Sequence, residues 1–241
     1  MTAVSAVVSL LIWTIVGHCY AFHLTTNLER SKFMSKSQFD RQLRRLHSSN
    51  GESSNNKPRI VVFDLDGCLW RPEMYELLWD GHASPFEPFE PTDSTKLKSK
   101  LGTVVTLIGD VAEILDELYT DPEWENVDLG ISSRTDEPTW ARELLQKFTL
   151  PRSKVSLETV FTGPWEIAHD QKTRHFERIS QATGVALENM LFFDNEAGNC
   201  RTVSKLGVSV CYCPNGVTRD AFNRALECFP CSLGQIVGID L

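Results

Sequence analysis

The run Arg59-Ile-Val-Val-Phe-Asp-Leu-Asp-Gly-Cys-Leu-Trp70 constrains the fold more than any other stretch of the 241-residue chain. Ile60 to Phe63 is short, apolar and largely β-branched, which suits a strand buried on both faces. It ends in Asp64 and Asp66, one residue apart, before Gly67. A strand that releases two acids into a turn sets them at the carboxyl edge of a sheet, where open α/β sheets bind ligands. Residues i and i+2 of a strand share a face, so the two carboxylates are crowded. Such a pair needs a cation or a shared proton. An Asp-Gly hairpin turn is the alternative, but it leaves Asp64 without a role, and no matching strand follows Leu69.

A second apolar run, Met190 to Phe193, delivers Asp194 in the same manner. Around these two runs strand and helix patterns alternate. Thr103–Ile108 reads as the return strand of a small hairpin that begins near Phe86. Asp110 with Glu113 is a capping-box pattern ahead of a helical face of Val111, Ile114, Leu115 and Leu118. Val127–Ile131 is a predicted strand ending at Ser132-Ser133-Arg134-Thr135, and Ala141, Leu144, Leu145 and Phe148 form the next helical face. Val160-Phe161 reads as a short strand, and Lys172–Thr183 as a helix stopped by Gly184. A helix ending at Gly207, a strand over Val208–Tyr212 and a helix over Thr218–Phe229 complete the pattern. Strands separated by helices predict parallel βαβ units in a doubly wound, three-layer α/β sheet.

Charge divides the chain. Residues 1–57 hold seven Lys/Arg against three Asp/Glu, and the remainder carries a net −12 within the overall −8. A domain this acidic is a poor nucleic-acid binder, since that needs phosphate-neutralising cations. Residues 1–21 are nearly uncharged and apolar over Ala3–Gly17, the length of a signal-peptide core and short for a membrane span. Residues 22–57 are basic, Ser- and Asn-rich and lack a sustained apolar face, as in a transit peptide or disordered linker. The two together resemble the bipartite presequence of proteins sent to complex plastids. Simple secretion is the alternative, and neither leaves a stable membrane span in the mature chain. The third part, residues 58–241, is the globular domain.

Parallel strands end at one edge, so Asp64 and Asp66, Ser133 and Arg134, Lys172 and Asp194 are expected to converge. These groups supply a nucleophile, an acid–base carboxyl, oxyanion donors and a further carboxylate, the parts of a phosphoryl-transfer site. Oxygen ligands suit Mg²⁺. The four segments resemble, in order, the four motifs of the haloacid dehalogenase superfamily: Val-Val-Phe-Asp64-Leu-Asp66, Ile131-Ser-Ser133-Arg134-Thr135, Lys172-Thr-Arg-His-Phe-Glu177 and Met190-Leu-Phe-Phe-Asp194. Trp70, the Ser-Arg-Thr run and the 175–178 segment make the chain similar to the magnesium-dependent phosphatases, also termed magnesium-dependent acid phosphatases. That resemblance implies a Rossmann-like fold without a large cap domain and with a small β-hairpin insertion after the first strand. It implies an aspartyl-phosphate on Asp64, with Asp66 as general acid and base. Mg²⁺ would be held by Asp64, the Asp66 carbonyl and Asp194, with Ser133 and Lys172 on the phosphoryl group and Arg134 as a substrate contact. The implied substrates are phosphoproteins carrying phosphotyrosine or sugar-type phosphates. Phosphotransfer to an acceptor other than water, and a weakly active regulatory protein on the same fold, are the alternatives. The carboxyl at position 66 separates the chain from the dehalogenases, which lack an acid there, and from ion-pumping ATPases.

Two positions depart from the family pattern. Asn195 stands where an acid commonly follows Asp194, which predicts weaker Mg²⁺ binding, and Cys68 replaces the common Thr. Cys211 and Cys213 are separated by one residue, short of the two to four that separate paired zinc ligands, which argues against a zinc site with Cys228 and Cys231. His175 is expected to be half-buried and structural, and the six Trp to be packing residues.

Overall fold

The apolar run that opens the sequence argument is the centre of a sheet. In the structure, a computed structural model that describes residues 57–79 and 89–239, β1 (Ile60–Phe63) is buried at all four positions. The targeting segments up to residue 56 and the Phe86 end of the hairpin lie outside the described residues, which fall within the unit Ser53–Leu241.

Five further strands of the main sheet and an insertion follow. β2 (Trp70–Arg71) and α1 (Met74–Trp79) lead into β3 (Glu90–Asp93), β4 (Lys96–Lys98) and β5 (Val104–Leu107), then α2 (Val111–Thr120). Next come β6 (Asp128–Ser133), α3 (Pro138–Lys147), α4 (Leu157–Val160), β7 (Trp165–Ile167) and α5 (Lys172–Thr183). The chain continues through β8 (Met190–Asp194), α6 (Ala197–Ser204), β9 (Ser209–Tyr212), α7 (Arg219–Cys228) and β10 (Ile236–Val237). The main sheet has the order β10-β9-β8-β1-β6-β7, with parallel pairing throughout. The chain leaves β1 for β6 on one side and later fills the other side from β8 outward. β1 is therefore the switch point at which such sheets bind ligands.

The period of two along β1 separates the layers. Val61 and Phe63 face a core shared with Val111, Ile114, Leu144, Leu145, Phe222 and Ala225, from α2, α3 and α7. Ile60 and Val62 face a second core with Phe176 and Ile179 of α5 and Cys200 and Val203 of α6. The insertion forms a four-stranded antiparallel sheet, β2-β5-β4-β3. Its Leu97, Val105 and Leu107 join the first core, while Lys96 and Lys98 alternate outward. No separate cap domain is present among the described residues.

Three local expectations are corrected. Val160-Phe161 is not a strand: Ser156 accepts a hydrogen bond from the Thr159 N–H and caps the short helix α4, and the edge strand begins at Trp165. Asp110 does not close a capping box on α2; its carboxylate accepts from the Arg219 N–H at 2.7 Å, tying α2 to α7. Cys211 and Cys213 lie on one side of the chain at the end of β9, with their Sγ atoms 3.8 Å apart. His175 is fully buried rather than half-buried. The helix Lys172–Thr183 is found as predicted, closed by Gly184 at φ 70°.

Candidate active site

Asp64 extends β1 by one more ladder bond, its N–H donating to the Phe193 carbonyl at 2.9 Å. Its carboxylate meets Lys172, the first residue of α5, whose Nζ donates to Asp64 Oδ1 at 2.8 Å and lies 3.3 Å from Asp194 Oδ2. The ammonium also donates to the Ser132 carbonyl and sits 5.2 Å from the centre of the Phe192 ring. Lys172 is 3% exposed and Asp194 0%. Burial opposes the charge on Lys172, yet Asp64 and Asp194 outweigh it and raise its pKa above the ordinary lysine value. Burial raises the Asp194 carboxyl, Lys172 holds it down, and Asp64 raises it again. Asp194 is further tied by the Glu196 N–H at 2.7 Å and Asn199 Nδ2 at 3.1 Å.

Asp66 is held differently. Its loop turns at Gly67, in the left-handed region at φ 71°; a Cβ there would meet Asn195 Nδ2 at 2.2 Å, so only glycine fits. The Gly67 N–H donates to the Trp70 carbonyl, and Trp70 Nε1 donates to Asp66 Oδ1 at 2.7 Å. The Thr135 hydroxyl and the Met74 N–H add further hydrogen bonds. Asp66 remains partly exposed. Burial, opposed by the Thr135 bond and reinforced by Asp64, pushes its pKa up to about 7. A carboxyl poised there can give and take a proton near neutrality.

The residues present fit a hard cation. Asp64 Oδ1 is committed to Lys172, which leaves Oδ2. The Asn195 amide lies 3.0 Å from the Asp66 carbonyl and 3.3 Å from Asp64 Oδ2. With its nitrogen turned toward them it donates to both; with its oxygen turned toward them, three oxygens face one another, an arrangement that a cation satisfies. No group of three His, Cys, Asp or Glu side chains placed for a metal occurs among the described residues, and backbone and amide oxygens carry this fit.

Ser133 is buried at the end of β6, where its Oγ accepts from the Thr135 N–H at 3.4 Å and keeps its own proton to donate. Arg134 is exposed beside it and makes no ion pair among the described residues. His175 lies beneath the site. Ser132 Oγ is 3.1 Å from its Nδ1, and burial, Lys172 and Arg178 lower its pKa to about 4, which keeps the ring neutral beside the ammonium. Cys68 is buried under the loop, with Sγ 3.5 Å from the Phe193 carbonyl. Sequence reasoning quoted Trp70 and Thr135 as motif residues but gave neither them nor Asn199 a contact in the site. Trp70 carried one signal, its position one helical turn's spacing after Asp66.

The model of the acid phosphatase family matches residues 56–232. Magnesium-dependent phosphatase 1 of Homo sapiens is 35% identical over 177 residues, 71% of this chain and 87% of that protein. A HAD-like hydrolase superfamily protein of Schizosaccharomyces pombe is 34% identical over 158 residues, 63% of this chain and 83% of its own length. Among solved structures, a haloacid dehalogenase-like family hydrolase from Xanthomonas campestris aligns with a TM-score of 0.46 and 14% identity, over 72% of this chain and 98% of that one. Both the family match and the human relative span most of the globular domain, and the chain belongs to the acid phosphatase family of haloacid dehalogenase-like hydrolases.

Proposed function

We propose that the protein is a Mg²⁺-dependent phosphomonoester hydrolase that works through an aspartyl-phosphate on Asp64. The carrying observation is the buried Lys172, held between Asp64 at 2.8 Å and Asp194 at 3.3 Å beside a second, differently held acid, Asp66. Asp64 attacks phosphorus while Lys172 offsets charge on the nucleophile and on the transferring group. Asp66 protonates the leaving oxygen, then takes a proton from the water that cleaves the acyl phosphate. Ser133 donates to a phosphoryl oxygen and Arg134 contacts substrate at the rim. Asp64 Oδ2, the Asp66 carbonyl and Asn195 Oδ1, with Asp194 behind them, would hold Mg²⁺. When bound, the ion neutralises phosphoryl charge and orients the group for in-line attack. A human relative named a magnesium-dependent phosphatase supports this reading.

The substrate class we propose is a phosphotyrosine-bearing protein or a sugar-type phosphate, which the lack of a large cap among the described residues favours over substrates that need enclosure. The test is p-nitrophenyl phosphate hydrolysis by the full chain with and without Mg²⁺, followed by a phosphopeptide and phosphosugar panel. Chelation is expected to remove turnover, and Asp64→Asn to abolish it. Wild-type turnover in Asp64→Asn would overturn the nucleophile. We also propose, from the composition of residues 1–57, delivery to a complex plastid. A fluorescent fusion of those residues is expected in the plastid; signal confined to the endoplasmic reticulum or the medium would contradict this.

A further inference from the structure

The residue that opens the insertion also reaches the acid. Trp70 is the first residue of β2 and is fully buried; its ring stacks on Phe148 at 6.1 Å, and its backbone pairs with Leu107 of β5. Its carbonyl accepts from the Gly67 N–H at 3.0 Å, closing the loop that carries Asp66. Its indole returns to Asp66 Oδ1 at 2.7 Å. Main chain and side chain of one rigid residue thus fix one carboxyl. From this geometry we propose that Trp70 is the positioning residue for the proton-transferring carboxyl, holding Oδ1 as a permanent acceptor so that the proton is carried on Oδ2.

The physical basis is the donor inventory. An indole N–H donates and cannot accept, so it is compatible with Oδ1 only as a lone-pair oxygen. The Thr135 hydroxyl, which also bonds Asp66, can donate or accept and so tolerates either protonation state without choosing between them. Without the indole, the proton is free to sit on either oxygen and the carboxyl to rotate. Proton transfer contributes typically 10²–10⁴-fold and depends on reach and alignment. The insertion, through Trp70, then serves proton transfer as well as the shape of the site.

The proposal rests on Asp66 being the general acid, and the test separates the two. In the full chain with Mg²⁺, kcat/KM reports the first chemical step for a series of phosphate esters whose leaving groups range from dinitrophenol to an alkyl alcohol. Good leaving groups need no proton; alkoxides do. Trp70→Phe keeps an aromatic ring and removes the N–H. It is expected to lower kcat/KM for the alkyl ester roughly tenfold more than for the dinitrophenyl ester. Trp70→His, which restores a ring donor, should recover part of the difference. In an Asp66→Asn background, Trp70→Phe should add no further dependence on the leaving group. Equal losses across the series in Trp70→Phe, with a steep dependence in Asp66→Asn, would overturn the positioning role and leave the acid intact. A flat series in Asp66→Asn would overturn the acid assignment itself. Should Trp70→Phe not fold, Thr135→Val tests the same holding. It removes only the hydroxyl, so it should show a smaller leaving-group effect than Asp66→Asn; an effect as steep as Asp66→Asn would contradict the primacy of the indole.

Discussion

The two acids of the first motif are separated by a single residue and are held by opposite means. Asp64 belongs to a buried charge cluster: Lys172 joins it to Asp194, and strand ends and a helix start fix all three. Asp66 belongs to a hydrogen-bonded turn, where an indole, a hydroxyl and a backbone N–H meet a partly exposed carboxyl. In the mechanism proposed above the nucleophile is the acid fixed beside the buried cation. A proton shuttle must change charge during each turnover, which neutral donors permit and a salt bridge would resist. The difference in surroundings supports the proposed division of roles between the two acids.

The comparison breaks most visibly at Lys172. Lys172→Met leaves Asp64 and Asp194 buried without their cation, and removing one partner of a buried pair costs about 3–5 kcal/mol. Urea unfolding is expected to show that loss, with turnover falling to background. Added Mg²⁺ should recover part of the stability, because it replaces the missing positive charge. Next comes Ser133→Ala, which removes one oxyanion donor and should lower kcat by about 10²–10³ while leaving unfolding nearly unchanged. Asn195→Asp adds a carboxylate against the Asp66 carbonyl and Asp64 Oδ2. Calorimetric Mg²⁺ titration is expected to tighten several-fold, by about 1 kcal/mol, with the metal-free protein less stable.

A pH-dependent effect lies below the charge cluster. His175 has its pKa lowered to about 4 by burial and the nearby cations, against about 6.5 unfolded. A lowered histidine binds fewer protons folded than unfolded. Its contribution is therefore complete above pH 6.5 and lost as pH falls toward 4. The loss is on the order of 3 kcal/mol. Unfolding of the wild type against His175→Asn across that window should show the difference disappear in the variant.

Much of this was legible before the structure because it is written in local runs. The apolar stretches Ile60–Phe63 and Met190–Phe193 became neighbouring strands of the sheet, and the acids at their ends met at Lys172. Features set by distant partners were not legible. Asp110 looks like a helix cap until the Arg219 N–H, far along the chain, takes its carboxylate. Trp70 reads as packing, and it does pack; its Nε1 matters because Gly67 folds the loop back on itself. β10 has only the two residues Ile236–Val237, too few for a periodic signal.

The division of labour between the two acids is tested most directly by trapping the intermediate. Full-length protein mixed with p-nitrophenyl phosphate and Mg²⁺, quenched within one turnover and reduced with borohydride, should contain homoserine at position 64 by peptide mass spectrometry, with Asp66 unmodified. Homoserine at position 66, or rapid turnover with no adduct at position 64, would contradict the account.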